Sequence, residues 1–421
     1  MNTQNTTDTT RSCAWRWNFQ VCSGILSPST CLLLLAAMLA STLTTQAGEK
    51  CVGGKRGFDT MTVNLYDGGN EARVMALDPT DQDYFTNLVT TVTGVYYEIV
   101  ASQPGIRLKG VADRIVARMP DAVAVEEASL IRMQSPGDLA AGGSTLATTV
   151  VYDYLQILVD ALKARGAHYA VASTAQEMDV EMPMLHLGPD GQPVVVLGPG
   201  GNPTFMTDDV RLTDREAILV RTDLPPGELH VSHPQSGHFA NVIEVPGIGL
   251  SITRGWCSVD VSCRGDIFRY ICTHLEEETS PQIQVAQAKE LLAGPARTCL
   301  PVILVGDFNS DPLHRDRPGS DPTAYPKIIA AGFHDTWALL HPRHLAAGLT
   351  WGHDEWLALP GVVFDRRIDF VFIRGPGFIP VKAEPIDMTL NRTEPPLWAS
   401  DHAALAAELL IDSAPCGGGH G

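Results

Sequence analysis

The stretch "VILVGDFNSDP", Val302 to Pro312, runs four branched apolar residues into Gly306 and then into Asp307, Asn309 and Asp311. An unbroken branched run closed by Gly predicts a strand buried on both faces, as in layered α/β folds. Ionised carboxylates at the end of such a strand are costly unless they are paired or hold a cation. The strand therefore either emerges at the surface or ends on something positive. Alternation along an extended chain puts Asp307 and Asn309 on one side and turns Phe308 back toward the core. Pro312 implies that the chain is already turning at Asp311, which stays outside the candidate set.

The same oddity recurs at other strand ends. Glu126 and Glu127 close the apolar run "AVAVEEA", His274 stands in "YICTHLE", and Asp369 lies inside "RRIDFVF". Asp401 and His402 precede the last strand in "WASDHAAL", and Asn64 sits in "MTVNLY". Singly, each is an ordinary strand end or a satisfied histidine. Together they supply hard oxygen ligands for Mg²⁺ or Ca²⁺ and two histidines with acidic partners, a set that metal-assisted phosphoryl hydrolysis uses.

The chain has 421 residues, 44% of them hydrophobic, and a formal charge of -18. That size and composition fit a globular domain, and the charge disfavours non-specific binding to nucleic acid or anionic lipid. A phosphate substrate stays open, because bound cations supply positive charge locally. Residues 1–47 carry sparse Arg, the apolar run "CLLLLAAMLA" and small residues before Gly48, the layout of a signal peptide; the expected location is secreted or periplasmic. The expected domain spans 48–411, followed by a Gly-rich flexible tail, 412–421.

Within the domain, helices are expected near 81–102 and 106–118, over "YDYLQILVDALKARG" and over "SPQIQVAQAKELLA". Strands dominate from Arg215 onward, which makes the fold class α/β or α+β. Residues 185–209 form a Gly/Pro-rich insert read as a projecting hairpin, and "HVSHPQSGH" reads as a surface loop. Beyond residue 47 six cysteines remain, and a turn at "RGD" places Cys257 opposite Cys272 as a candidate disulfide. Asn391 in "NRT" is a formal glycosylation acceptor.

In chain order, "VNLY", "DAVAVEEA", "DREAILVR", "TRGW", "CTHLE", "VGDFNSDP", "RRIDFVF" and "SDH" resemble the endonuclease/exonuclease/phosphatase superfamily. That superfamily includes deoxyribonuclease I-like nucleases, sphingomyelinases and inositol polyphosphate 5-phosphatases. The resemblance implies a four-layer αββα sandwich: two packed mixed β-sheets flanked by helices, with the site at one sheet edge. It implies a divalent cofactor, Mg²⁺ with Mn²⁺ or Ca²⁺ as alternatives, held by Glu127 with Asp401 and Asn64. It further implies that Asp307 positions or deprotonates water, Asn309 holds a phosphate oxygen, Asp369 orients His402, and Asp214 pairs with His274. Arg254 matches a phosphate-contacting arginine, whose planar fork suits two phosphate oxygens. One departure stands out: Glu126 occupies a position where the nuclease branch commonly has Gln.

The expected substrate is a phosphate ester, with DNA or RNA first. Alternatives are a phospholipid cleaved in the manner of a sphingomyelinase, a small phosphoester, or no turnover at all in a silent binding module. A monomer without an obligate protein partner is expected.

Overall fold

The computed structural model describes residues 51–411 except 53–54, 199–201, 246–248, 278, 314–322, 354–355, 358–361 and 391–396. The expected signal peptide, the tail and Asn391 lie outside the described residues. In chain order the principal elements begin with β1 (Lys55–Asn64), α1 (Tyr84–Ala101), α2 (Pro104–Arg118), β2 (Ala122–Glu126) and β3 (Leu130–Gln134). They continue with β4 (Thr149–Asp153), α3 (Tyr154–Ala164), β5 (Tyr169–Leu185), β6 (Thr207–Arg221) and β7 (Leu229–His238). The rest are β8 (Gly255–Cys263), β9 (Asp266–His274), α4 (Pro281–Ala293), β10 (Val302–Asp307), α5 (Ala324–Ala330), β11 (Asp369–Arg374), β12 (Phe378–Ile386) and β13 (Ala404–Ile411).

Two mixed sheets result. The first runs β12-β13-β1-β2-β6-β3-β4, with β5 along the length of β6 and Cys51–Val52 on β1. The second runs β7-β8-β9-β10-β11 and ends on the short strand His334–Asp335. Only β1 with β2 and β9 with β10 pair in parallel among these neighbours.

Strand alternation explains the layering. In β10, Ile303 and Val305 join the core between the sheets, whereas Val302 and Leu304 pack outward with Leu291 of α4 and Ile328 of α5. The first sheet does the same: Ala122 and Ala124 face the second sheet, and Val123 and Val125 face the helices α1 to α3. The order is helices, sheet, sheet, helices, an αββα sandwich.

Two local readings change and a third, the hairpin of the insert, holds. The "RGD" turn does form a hairpin, with Arg264 (φ 51°) and Gly265 (φ 97°) both left-handed, as a tight two-residue turn requires. It brings Cys257 opposite Cys272, yet both thiols are free, and Cys272 Sγ donates to Glu126 Oε1 at 3.3 Å. The expected disulfide is absent there. The "HVSHPQSGH" segment belongs to β7, an edge strand rather than a loop. The 185–209 insert carries a small hairpin, Val195–Leu197 with Pro203–Phe205, whose apolar side chains are exposed.

Candidate active site

The polar residues meet because the strands end in register. Across β9, β10 and β11, His274 is the partner of Asp307, and Asp307 is the partner of Asp369. This places one histidine and two acids in a row at the edge of the second sheet. On the first sheet the parallel pair β1 and β2 ends at Asn64 and Glu126. Glu127 follows with φ 52°, a left-handed turn that takes its side chain away from Glu126's. Glu126 Oε1 accepts from Thr62 Oγ1 (2.7 Å) between the sheets, whereas Glu127 stands in the cleft.

Gly306 is what allows the row to close. Its φ is +138°, and a Cβ there would lie 1.9 Å from the Thr273 carbonyl oxygen on the neighbouring strand. The strand stops at Asp307, so Asn309 reaches the site by a different route from simple alternation. With φ 47°, its N–H donates to Asp307 Oδ1 (2.8 Å), and this turn returns its side chain to the cleft while Phe308 is fully buried.

His402 Nδ1 lies 2.9 Å from Asp369 Oδ2, which orients the ring and presents Nε2 at 3.7 Å from Asp307 Oδ2. Burial alone would lower the His402 pKa, but Asp369, Asp401 and Asp307 together hold it well above the usual histidine value, so it carries a proton. His274 is the opposite case: burial and the adjacent Arg254 push it well below the usual value, and it is neutral. Arg254 Nη1 donates to His274 Nδ1 at 3.0 Å, leaving the ring hydrogen on Nε2, 3.6 Å from Asp307 Oδ2. Asn309 Nδ2 lies 3.1 Å from the same Nε2 and, since both are donors in this tautomer, is held instead by the Leu275 carbonyl oxygen, to which it donates at 3.0 Å.

Asp214 therefore does not touch His274 through a hydrogen bond of its own. Arg254 stands between them, 3.6 Å from Asp214 Oδ2, 3.7 Å from Glu177 Oε2 and 3.7 Å from Glu276 Oε1. Glu177 and Glu276 were not singled out in the sequence; Glu177 lies in the middle of a long strand, where only its burial gives it away. Asp67, three residues beyond Asn64, also joins the site, and its N–H donates to Glu127 Oε2 at 2.7 Å. Asn64 Nδ2 bridges the two sheets, donating to Glu127 Oε1 (2.8 Å) and Asp307 Oδ2 (3.2 Å). Asp401 Oδ2 accepts from Trp351 Nε1 at 3.3 Å and lines the same cleft.

The acids outnumber their cations. Burial, then Asp401 and Asp214, push Glu127 up to about 7, and burial with Asp369 pushes Asp307 up to about 8. Oxygen donors crowded in this way fit a hard divalent cation, which relieves their mutual repulsion. Glu127 and Asp401 would hold it, with Asn64 beside them.

A model of the Endonuclease/Exonuclease/phosphatase family matches residues 101–402. Among solved structures, the chain is similar to an endonuclease/exonuclease/phosphatase family protein from Bacteroides thetaiotaomicron, at 16% identity over 85% of this chain and 99% of that one, with TM-score 0.48. It is similar to the mannosyl-6-phosphatase of Bacteroides thetaiotaomicron VPI-5482 at 15% identity, covering 84% and 100%, with TM-score 0.47. Truncated Caenorhabditis elegans TDP2 is similar at 16% identity, covering 84% and 98%, with TM-score 0.42. A search of curated proteins finds no match. With the family model spanning most of its length, the chain belongs to the Endonuclease/Exonuclease/phosphatase family.

Proposed function

We propose that the protein is a divalent-metal-dependent phosphoesterase that hydrolyses its ester by in-line attack of water. Family members are generally hydrolytic phosphoesterases that use a divalent metal. The observation that carries the reading is the pair of histidines on one carboxylate: His402 and His274 approach Asp307 Oδ2 at 3.7 and 3.6 Å.

Asp307, with its carboxyl raised to about 8, is a strong enough base to take the proton of the attacking water. Protonated His402, held by Asp369, places positive charge and a donor beside the phosphoryl oxygens. Neutral His274 and the Asn309 amide add donors, and Arg254 fixes the His274 tautomer. A cation on Glu127 and Asp401 would supply Lewis acidity toward the phosphoryl oxygen. The proposal includes export, as residues 1–47 suggest.

The test is hydrolysis of p-nitrophenyl phosphate and its bis-ester with Mg²⁺ or Mn²⁺ and with chelator. Turnover that requires metal and is lost in His402→Ala and Asp307→Asn supports the reading. Absence of turnover with every metal and both esters defeats it. A nuclease is the second reading, favoured by Trp351 and the exposed Trp356 on the cleft wall, since indole faces stack on bases. Nicking of plasmid DNA measures it.

A further inference from the structure

The cleft has a second half that phosphoryl chemistry does not use. A cavity of about 900 Å³ starts at Asp307 and His402 and continues past Glu127 and Asp214 into an apolar chamber. The floor follows from strand alternation: Val210, Leu212 and Asp214 share one face of β6, so the face that carries the Asp214 carboxylate to the centre carries hydrocarbon away from it. The neighbouring strand β5 widens this floor, with Val180 opposite Leu212 and Met182 opposite Val210. Val92, Val95 and Ile99, at helical spacing on α1, form one wall. Ile243, Leu250 and Ile252, from the hairpin Ile243–Val245 with Leu250–Ile252, form another.

Met182, Val180 and Val210 remain partly exposed although they lie at the margin of the helix-side core. Apolar walls around a concave space that opens on a polar centre are the usual form of a ligand site. The charge at the junction restricts the ligand further. Asp67, Glu71, Glu127 and Asp214 line it, and Arg254 is already engaged by Glu177, Asp214 and Glu276, so the surplus of carboxyl groups disfavours a chain of several phosphates. One metal-neutralised phosphate and an uncharged remainder avoid that repulsion.

We infer that the chamber receives the hydrocarbon chain of an amphiphilic phosphoester whose single phosphate lies at Asp307 and His402. The inference rests on the phosphoesterase reading and specifies its substrate. Water forms the new P–O bond, the P–O bond to the alkyl alcohol breaks, and the alcohol leaves with a proton, so ester and water give long-chain alcohol and inorganic phosphate. Met182 and Met178 suit such a ligand, because an unbranched thioether side chain adapts to chains of different length.

The test is a series of n-alkyl phosphates from ethyl to dodecyl, each below its micelle concentration, followed by phosphate release. Each methylene moved from water into the chamber is favourable. KM is therefore expected to fall by at least about tenfold from ethyl to dodecyl, with kcat changing less. Val210→Trp, which fills the chamber, should flatten the series, so that dodecyl phosphate loses its KM advantage over ethyl phosphate.

Turnover with no chain-length dependence in the wild-type protein overturns the inference and leaves the phosphoesterase intact. Cleavage of DNA with none of the alkyl esters does the same in favour of the nuclease. Should no ester turn over, the phosphoesterase reading fails on its own, and calorimetry of ethyl and dodecyl phosphate with the wild-type protein still decides the chamber. Tighter dodecyl binding that Val210→Trp removes supports it, and equal or absent binding overturns it.

Discussion

At the scale of single residues, the chemistry depends on what holds His402. Three acids surround its ring, so its charge is a consequence of Asp369, Asp401 and Asp307 rather than of the imidazole itself. His402→Ala should lower kcat by at least about 10²-fold. Asp369→Asn keeps the hydrogen-bonding shape but removes the charge that raises the His402 pKa. Its expected signature is a lower kcat with the alkaline limb of the pH–rate profile moved to lower pH. A profile that drops uniformly without moving would assign Asp369 a merely structural role. Glu127→Gln addresses the cation separately: the Mg²⁺ concentration for half-maximal turnover should rise by at least about tenfold, with the circular dichroism spectrum unchanged. An unaltered Mg²⁺ requirement would remove Glu127 from the metal site.

At the scale of elements, the site is a consequence of strands ending together, and Gly306 shows how tightly this is specified. Any side chain there meets the Thr273 carbonyl and takes on a φ of +138°. Gly306→Ala should cost more than about 3 kcal/mol or prevent folding, read as a loss of cooperative unfolding or a fall in Tm. A Tm within a degree of wild type would mean that the parallel pairing of β9 and β10 yields easily. The run Val302–Val305, read as a doubly buried strand, is one, because four branched residues in a row leave no polar face. The motif residues Asn64, Glu127, His274, Asp307, Asp369 and His402 were legible for the same reason: a polar group ending an apolar run is conspicuous. The turns were not. Glu127 adopts left-handed backbone that its residue type does not announce, and Asn309 adopts one that Asn tolerates but that alternation along a strand ignores, which gives the wrong route for its side chain. Nor does periodicity reveal that Arg254 intervenes between Asp214 and His274, since the two sheets that carry those residues must first be stacked face to face.

At the scale of the whole molecule, the two sheets enclose acids as well as hydrocarbon. Glu126, Glu177 and Glu216 are buried in or beside the inter-sheet layer, with Glu126 between Thr62 and Cys272 and Glu216 beneath the His274 N–H. Burial pushes Glu126 from 4.5 up to about 8, Asp369 and Asp307 adding to the effect, and Glu216 also stands well above its ordinary value. A carboxyl raised on folding binds its proton more tightly in the native state. Its contribution to stability is complete below about pH 4.5 and is lost as pH climbs to about 8, on the order of 4 kcal/mol for Glu126 across that window. Glu126→Gln retains an oxygen for the Thr62 hydroxyl and the Cys272 thiol but has no proton to lose. Thermal melts at pH 5, 6.5 and 8 should therefore show a Tm difference, variant minus wild type, that grows by several degrees with pH. A difference that stays constant from pH 5 to pH 8 would mean that Glu126 titrates normally. The sheets would then admit water at Glu126, and the acid-lined layer beneath the catalytic row would be softer than its packing indicates.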